Sequence, residues 1–509
     1  MTLLRAVLDT LLREDFHGIR SRGSVVDGVL RFRNVSIPVR PDGFLCDIAV
    51  AEPMVECRGR MLTELESVLA AFREWVKPED VGGFDAFVTE CREAQAAKDL
   101  QQAHPIAGRP ARGMAGGLGY DALAARVGHP VYPTGLARHG ISPADQLRYA
   151  PEYHQTFTLR WTGIPAAKVT CAGTLPDWWP IADDLGMADD VVPFPVHPLT
   201  GHGTDWLTVA PTLSMRTVAV LADPGTHIKL PLPTSTLGLR NRRTIKPGTL
   251  VDGAVVGRLL AAVLAREPQF ADRVLLADEQ SYGHANDELL TFLVRRYPAL
   301  DSADVVPLAA LCSVLDELAD RYFDGDRAAL LTEYLVLLLD FQVTLLLRYG
   351  IALESHQQNI SLVLDRVAGR TRIRLLLKDN DGPRVRADRL PFDCDLALLD
   401  DRRIIVHDTE PLIDVFTTIT LHLCAAAIVF GANGIDRRLV RDLLAASIER
   451  HPDSADRRLL VANTLAADRL PVKAMVTAGT LLTKQRSGAA DINKFYLRSG
   501  PNYLTNRST

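Results

Sequence analysis

The side chains best suited to chemistry fall in three clusters. The first is PTLSMRT, residues 211–217, followed by HIKLPLPTSTLGLRNRR from His227. Ser214, Arg216, Thr217, Lys229, Thr234, Ser235, Thr236, Arg240, Arg242 and Arg243 recur there through strand-like text. A period of two puts Ser214 and Arg216 on one face of a strand. Cations on that face offset phosphate charge while hydroxyls donate to phosphate oxygens, so the pattern suits a polyanion. It equally fits the solvated face of an edge strand.

The second cluster is ALESHQQNISLVLD, residues 352–365, with Glu354, His356 and Asn359 ahead of an apolar strand. Across a predicted hairpin, LLLKDNDGPR closes the returning strand with Lys378, Asp379 and Asp381. A carboxylate, an amide oxygen and a second carboxylate at adjacent strand ends can hold Mg2+, which takes hard oxygen ligands and shares them with phosphates. His356 has neither H-E-x-x-H spacing nor a nearby thiolate, which disfavours zinc and leaves it as a hydrogen-bond donor to an anion. A lone histidine in the core is the plainer alternative.

The third cluster is GHPVYPTGLARHG, residues 128–140, with FPVHPLTGHG from Phe194. Dense His, Pro and Gly predict ordered loops, either rigid turns or site-bearing segments. Several familiar motifs are absent: G-x-x-x-x-G-K-[ST], G-x-S-x-G, and the kinase H-R-D and D-F-G. The glycines at 113, 116, 117 and 119 lack the flanking strand and helix of a dinucleotide fold.

The elements that must position these clusters divide the 509 residues into three lobes. Residues 1–165 mix a leading amphipathic helix, strand-like text at Val25–Val35, a helix predicted over Met61–Trp75, a Gly-rich stretch near Gly113–Gly119 and then loops rich in Pro, Gly and His. Residues 166–300 carry short β-branched runs broken by Pro and Gly, a β-rich lobe. Residues 301–509 turn to helical periodicity over Val305–Tyr322, Ala328–Tyr349 and Pro411–Phe430, around a hairpin of Ile360–Leu364 and Arg372–Lys378. The expected class is α/β (α+β).

A composition 47% hydrophobic and 23% charged is that of a globular protein with a sizeable core. The net charge of -5, without a basic run, disfavours nucleic acid and favours a small-molecule substrate. Cys46, Cys57, Cys91, Cys171, Cys312, Cys394 and Cys424 form no C-x-x-C pair, so reduced, mostly buried thiols are expected. The apolar stretch Leu330–Leu347 contains Glu333, Asp340 and Gln342 and reads as a buried helix rather than a membrane span. A cytoplasmic location with no membrane partner is the corresponding expectation.

Eight segments in order, GHPVYPTGLARHGIS, YAPEYHQTFTLRW, PVHP, PTLSMRT, HIKLPLPTSTLGLR, ESHQQN, KDNDGPR and LPVKAM, resemble the IucA/IucC-like family of NRPS-independent siderophore synthetases. The resemblance spans most of the chain. It implies a cupped hand of thumb (1–165), fingers (166–300) and palm (301–509), commonly dimeric. It implies ATP and Mg2+ as cofactors, and a carboxylic acid, citrate or a derivative, that is adenylated and joined to an amine or alcohol.

By the same resemblance, Ser214, Arg216, Thr217 and Lys229 match nucleotide and phosphate contacts, and Glu354, Asn359 and Asp379 match the magnesium end. Ser235, Thr236, Arg240, His356 and Lys473 match positions that bind the polycarboxylate, with Arg242 or Arg243 able to replace Arg240. Lys229, Arg240 and His356 would carry catalysis, with His129 as a candidate base. The family loop reads near G-H-P-x-H-P-x-x-K-x-R, whereas Tyr132 and Leu136 stand here at its second His and its Lys. A ligase acting through an acyl phosphate and a non-catalytic binding homologue are the rival readings.

Overall fold

β-branched runs from Phe157 onward build an antiparallel sheet of eight strands. Its order is Thr170–Ala172, Asp278–His284, Thr291–Arg296, Asp223–Lys229, Thr217–Val220, Thr204–Pro211, Phe157–Pro165 and Val191–Val196. One face packs Phe157, Leu159, Val218, Ile228, Phe292 and Val294 into a core of its own. Side chains alternate along a strand, so Lys229, one position past Ile228, is carried to the opposite face. The computed structural model describes residues 2–106, 110–489, 491 and 494–505, at 41% helix and 23% strand.

A second sheet of four strands runs Val274–Leu276, Arg370–Leu377, Ile360–Val367 and Asp304–Pro307. The two central strands are the expected hairpin, turning at Ala368 and Gly369, both with positive φ. Val274–Leu276 joins it in parallel from within residues 166–300, and Phe157–Pro165 enters the larger sheet from before that boundary. A small N-terminal sheet is built from hairpins between Ser24 and Leu62.

Local expectations are corrected at three places. Arg60–Leu62 is an edge strand and only Leu65–Arg73 is helical, where Met61–Trp75 reads as one helix. Asp304–Pro307 is a strand ahead of the helix Leu308–Tyr322, because pairing with Ser361–Leu364 overrides the helical period. The Gly-rich stretch opens the helix Gly113–Val127. A Cβ at Gly117 would meet the Val305 carbonyl at 3.3 Å, so the missing side chain lets helix and strand approach.

The largest core runs from Leu3 to Leu504 and includes residues of both the N-terminal and C-terminal lobes. Leu3, Leu4, Val7, Leu8, Leu11 and Leu12 of the leading helix are buried in it. Glu14, just beyond that helix, accepts the N–H groups of Val476 and Thr477. Pro247–Leu264, Arg327–Tyr349 and Glu410–Gly431 are long and apolar enough to cross a membrane by length and composition, and the fold buries 50%, 78% and 89% of their apolar windows.

The helix Glu410–Gly431 is π-helical over Phe416–Ala426. Within it His422 donates from Nε2 to the Pro471 carbonyl (2.8 Å) and accepts at Nδ1 from the Tyr503 hydroxyl (2.9 Å). Burial pushes its pKa down to about 4, and that of His197 to about 3, from an ordinary 6.5. Both stay neutral in the folded chain while the unfolded chain takes up protons below pH 6.5. Stability therefore holds above 6.5 and is lost as pH falls from there toward the folded values, by roughly 1 kcal/mol per histidine per pH unit. Urea unfolding at pH 6.5 and 5.5 measures this; His422→Gln is expected to flatten the dependence, and an unaltered slope would contradict it.

Candidate active site

A cavity of about 320 Å3 opens where all three lobes meet. One wall begins with the turn Thr212–Arg216, closed by the Thr217 N–H donating to the Ser214 hydroxyl (3.1 Å), with Met215 at φ +62. Ser214 and Arg216 reach the cavity from this turn, between the strands Thr204–Pro211 and Thr217–Val220, and not by the strand alternation that their spacing suggests. The Arg216 guanidinium donates to the carbonyls of Arg243 (3.3 Å) and Thr244 (3.1 Å). Thr217 itself is buried in the strand and lies off the wall.

Lys229 ends its strand beneath the cavity, and its ammonium pairs with Asp379 and, at 3.7 Å, with Asp381, both of which line the wall. Arg295 approaches Asp379 at 3.4 Å and also pairs with Glu279. Both Glu279 oxygens accept the Asp379 N–H, at 3.0 and 3.1 Å, which fixes Asp379 in a left-handed conformation at φ +58. Burial alone would raise the Asp379 carboxyl, but Lys229, Arg295 and Arg216 outweigh it and hold the group well below the usual range. Asp381 is pushed up to about 6, by burial first and by Asp379 beside it.

The wall around Glu354 and Lys473 is differently charged. Lys494 holds Glu354 at 2.7 Å, and Lys473 approaches its other oxygen at 3.8 Å. Burial lowers the Lys473 ammonium, partly offset by Glu354. His129 accepts at Nδ1 from the N–H groups of Val131 (3.2 Å) and Tyr132 (3.1 Å), which leaves Nε2 as the protonated nitrogen. His356 likewise accepts at Nδ1 from the Gln358 N–H (3.3 Å). Burial keeps both neutral, at about 3 and about 4 respectively. His129 is thereby a donor, and the reading of it as a base is corrected.

Of the sequence-derived candidates, Ser214, Arg216, Thr236, His129, His356, Glu354, Asn359, Asp379 and Lys473 share this one cavity. Arg240, Ser235, Thr217 and Lys229 are not part of its lining, and Lys229 is tied to it only through Asp379 and Asp381. The Arg240 guanidinium donates to the carbonyls of Ala478 (3.1 Å) and Leu482, and Ser235 bridges to Arg242. Arg243 is the arginine that lines the cavity, its pKa lowered to about 9 by burial and by Arg216, still a cation at neutral pH. Leu136 lines the wall, whereas Tyr132 points away from it. Glu279 and Arg295 also belong to the site without a clear sequence signal: Glu279 lies in the polar strand text DEQSYGH, and only Arg295 follows an apolar run, Phe292–Val294.

The proposed magnesium set is split. Glu354 is engaged by two lysines, while Asp379, Asp381 and Asn359 gather at the other end, where Asn359 Nδ2 donates to the Asp379 carbonyl (3.4 Å). Among the described residues no group of three or more His, Cys, Asp or Glu forms a metal cage. The oxygen-bearing groups gathered at the Asp379 end, two carboxylates and one amide, are of the hard type that Mg2+ takes.

A mixed α/β fold with a cationic cleft between lobes defines the class. Residues 120–203 and 201–313 match the IucA / IucC family, and residues 328–488 match the ferric iron reductase FhuF-like transporter family. The chain is 23% identical over 313 residues to staphyloferrin A synthase of Staphylococcus aureus, covering 52% of each. It spans about half the length of the curated relatives it matches. The petrobactin biosynthesis protein AsbB of Bacillus anthracis superposes with a TM-score of 0.79 at 16% identity, over 99% of this chain and 95% of that one. ATP-bound aerobactin synthetase IucA of Klebsiella pneumoniae gives 0.72 at 15% identity over 100% of both chains. The chain thus resembles the IucA / IucC family over residues 120–313 and has the fold of these synthetases.

Arg243 and Arg240 make the sharpest contrast in the site. If the cavity takes ATP or citrate, as proposed below, Arg243→Ala is expected to weaken binding of one of them about tenfold to a hundredfold, the worth of a charged hydrogen bond. Arg240→Ala is expected to leave both affinities within about twofold and lower the melting temperature, since it removes a contact to buried carbonyls. Titration calorimetry with each ligand decides, and unchanged affinity for both in Arg243→Ala would refute the assignment.

Proposed function

We propose that the protein is an ATP-dependent siderophore synthetase that adenylates a carboxylic acid and joins it to an amine or alcohol. The carrying observation is the cavity itself. Arg216 and Arg243 face it beside a carboxylate pair anchored on Lys229, while Lys473 and two neutral imidazoles face it from other elements. The first end suits a triphosphate with its cation. The second suits a carboxylate, which takes hydrogen bonds from neutral N–H donors and charge from one ammonium.

On this reading the three lobes serve as thumb, fingers and palm around the nucleotide. A carboxylate oxygen attacks the α-phosphorus, the bond to the β-phosphate oxygen breaks, and pyrophosphate leaves with the electron pair. Arg216, Arg243 and Lys229 stabilise that departing charge, and His129, His356 and Lys473 hold the acid in line. The amine or hydroxyl then attacks the acyl carbon of the adenylate, AMP departs, and the nucleophile's proton is released. Mg2+ bound at Asp379, Asp381 and Asn359 would supply charge neutralisation on the phosphates.

Two cations reaching the cavity from different lobes, Arg243 and Lys473, favour citrate or a citrate-derived acid with several carboxylates. A cytoplasmic location accords with consumption of ATP. The departure at Tyr132 is no argument against catalysis, because its side chain is turned out of the cavity.

The expected result is citrate-dependent exchange of labelled pyrophosphate into ATP, with AMP as the nucleotide product once an amine is supplied. Lys229→Ala is expected to cut the exchange rate by about 10²–10³-fold, the scale for losing a transition-state charge partner. ADP in place of AMP would establish an acyl-phosphate ligase. Binding of ATP and citrate with no turnover, insensitive to Lys229→Ala, would establish a non-catalytic homologue.

A further inference from the structure

Glu90 lies on the helix Val81–Ala103, outside the cavity wall, and is 6% exposed. Its Oε2 accepts from the hydroxyls of Tyr132 (3.0 Å) and Thr134 (3.0 Å). Its Oε1 accepts from the Thr480 hydroxyl (2.6 Å) and the Leu239 N–H (2.9 Å). A carboxylate has about four lone-pair sites, so its accepting capacity is filled. Every one of these donors is neutral.

A buried carboxylate with neutral partners is an expensive way to gain stability, since an apolar residue of the same volume would need no desolvation. What it supplies is geometry. The four donors come from three chain segments, and each segment carries cavity residues within five positions of its bond. Tyr132 and Thr134 sit between Pro130 and Leu136, Leu239 sits between Leu237 and Asn241, and Thr480 follows Met475. Two of these segments also meet backbone to backbone: Arg240 N–H donates to the Gly479 carbonyl (3.3 Å), and Gly238 adopts φ +112 there. A Cβ on Gly238 would sit 3.1 Å from the Tyr132 hydroxyl and 3.2 Å from Gly479, so the junction has no slack.

We propose that Glu90 is a positioning residue which sets the relative placement of three cavity walls, and that Tyr132 serves this junction rather than substrate recognition. The kinetic consequence rests on the adenylation reading. Without Glu90 the Leu239 N–H and three hydroxyls must find other acceptors, and the walls bearing Leu136, Leu237 and Met475 shift to do so.

The test compares Glu90→Ala, Glu90→Gln and Glu267→Ala in the full chain, by pyrophosphate exchange and thermal melting. Glu267 is an equally buried carboxylate that holds Arg348, Tyr349 and Gln269 away from the cavity. Glu90→Ala is expected to lower kcat/KM by about 10²-fold, the cost of displacement by about 1 Å. Glu90→Gln is expected to recover to within about tenfold of wild type, because its amide can accept from one pair and donate to the hydroxyls of the other. Glu267→Ala is expected to lower the melting temperature while keeping kcat/KM within about twofold of wild type, its partners being remote from the walls. Wild-type kcat/KM in Glu90→Ala, or an equal loss in Glu267→Ala, would overturn the proposal.

If Glu90→Ala does not fold, Tyr132→Phe and Thr480→Val each remove one donor; wild-type kinetic constants in both would be equally fatal. Absence of exchange in the wild type defeats the adenylation reading instead. The positioning role is then read from crystal structures of Glu90→Gln and Tyr132→Phe, where unmoved segments 130–136 and 237–241 would overturn it.

Discussion

The site depends on one buried ion-pair network centred on Asp379. Lys229, Arg295 and Glu279 belong to three neighbouring strands of the eight-stranded sheet, and Asp379 follows the hairpin of the other sheet. The network is where the two sheets are held in register across the cavity. Its charges nearly balance, with Lys229 and Arg295 set against Asp379, Glu279 and Asp381. That balance lets the cluster remain buried, and Asp381, least well compensated, is left as the group most ready to take a cation.

The opposite end of the cavity follows the same logic with different partners. Lys494 occupies one oxygen of Glu354 closely and leaves Lys473 with a longer contact. The ammonium of Lys473 is therefore the less satisfied of the two and faces the cavity. His129 and His356 have their Nδ1 atoms engaged by backbone N–H groups, which orients both rings as donors. The cavity thus differs in character along its wall, with Arg216, Arg243 and the Asp379 and Asp381 carboxylates in one group and Lys473 with two neutral imidazoles in the other.

The two departures from the family loop differ in kind. Leu136 replaces a charge with an apolar side chain on the cavity wall, so it alters what the wall can bind. Tyr132 turns its hydroxyl to Glu90 and Thr480, in a junction where residues 130–136, 237–241 and 475–480 meet. In sequence the two residues are four positions apart and look alike as anomalies. Burial and partners separate them.

Much of the architecture was legible along the chain because it is local. The hairpin Ile360–Leu377, the helix Arg327–Tyr349 and the strands around Ser214 follow from periodicity and turn residues. The chemical character of the clusters was legible as well, since side-chain type needs no coordinates. Selection among neighbours was not. Leu237 at φ +56 and Gly238 at φ +112 break the period of two, so spacing cannot tell that Arg243 reaches the cavity while Arg240 caps the carbonyls of Ala478 and Leu482. Glu354 was assigned to a metal because its competitor, Lys494, lies 140 residues away. By itself the sequence determined which functional groups are present and the short elements that carry them. The tertiary structure decided which groups face one another, because burial and charge pairing act between segments that only the packed core brings together.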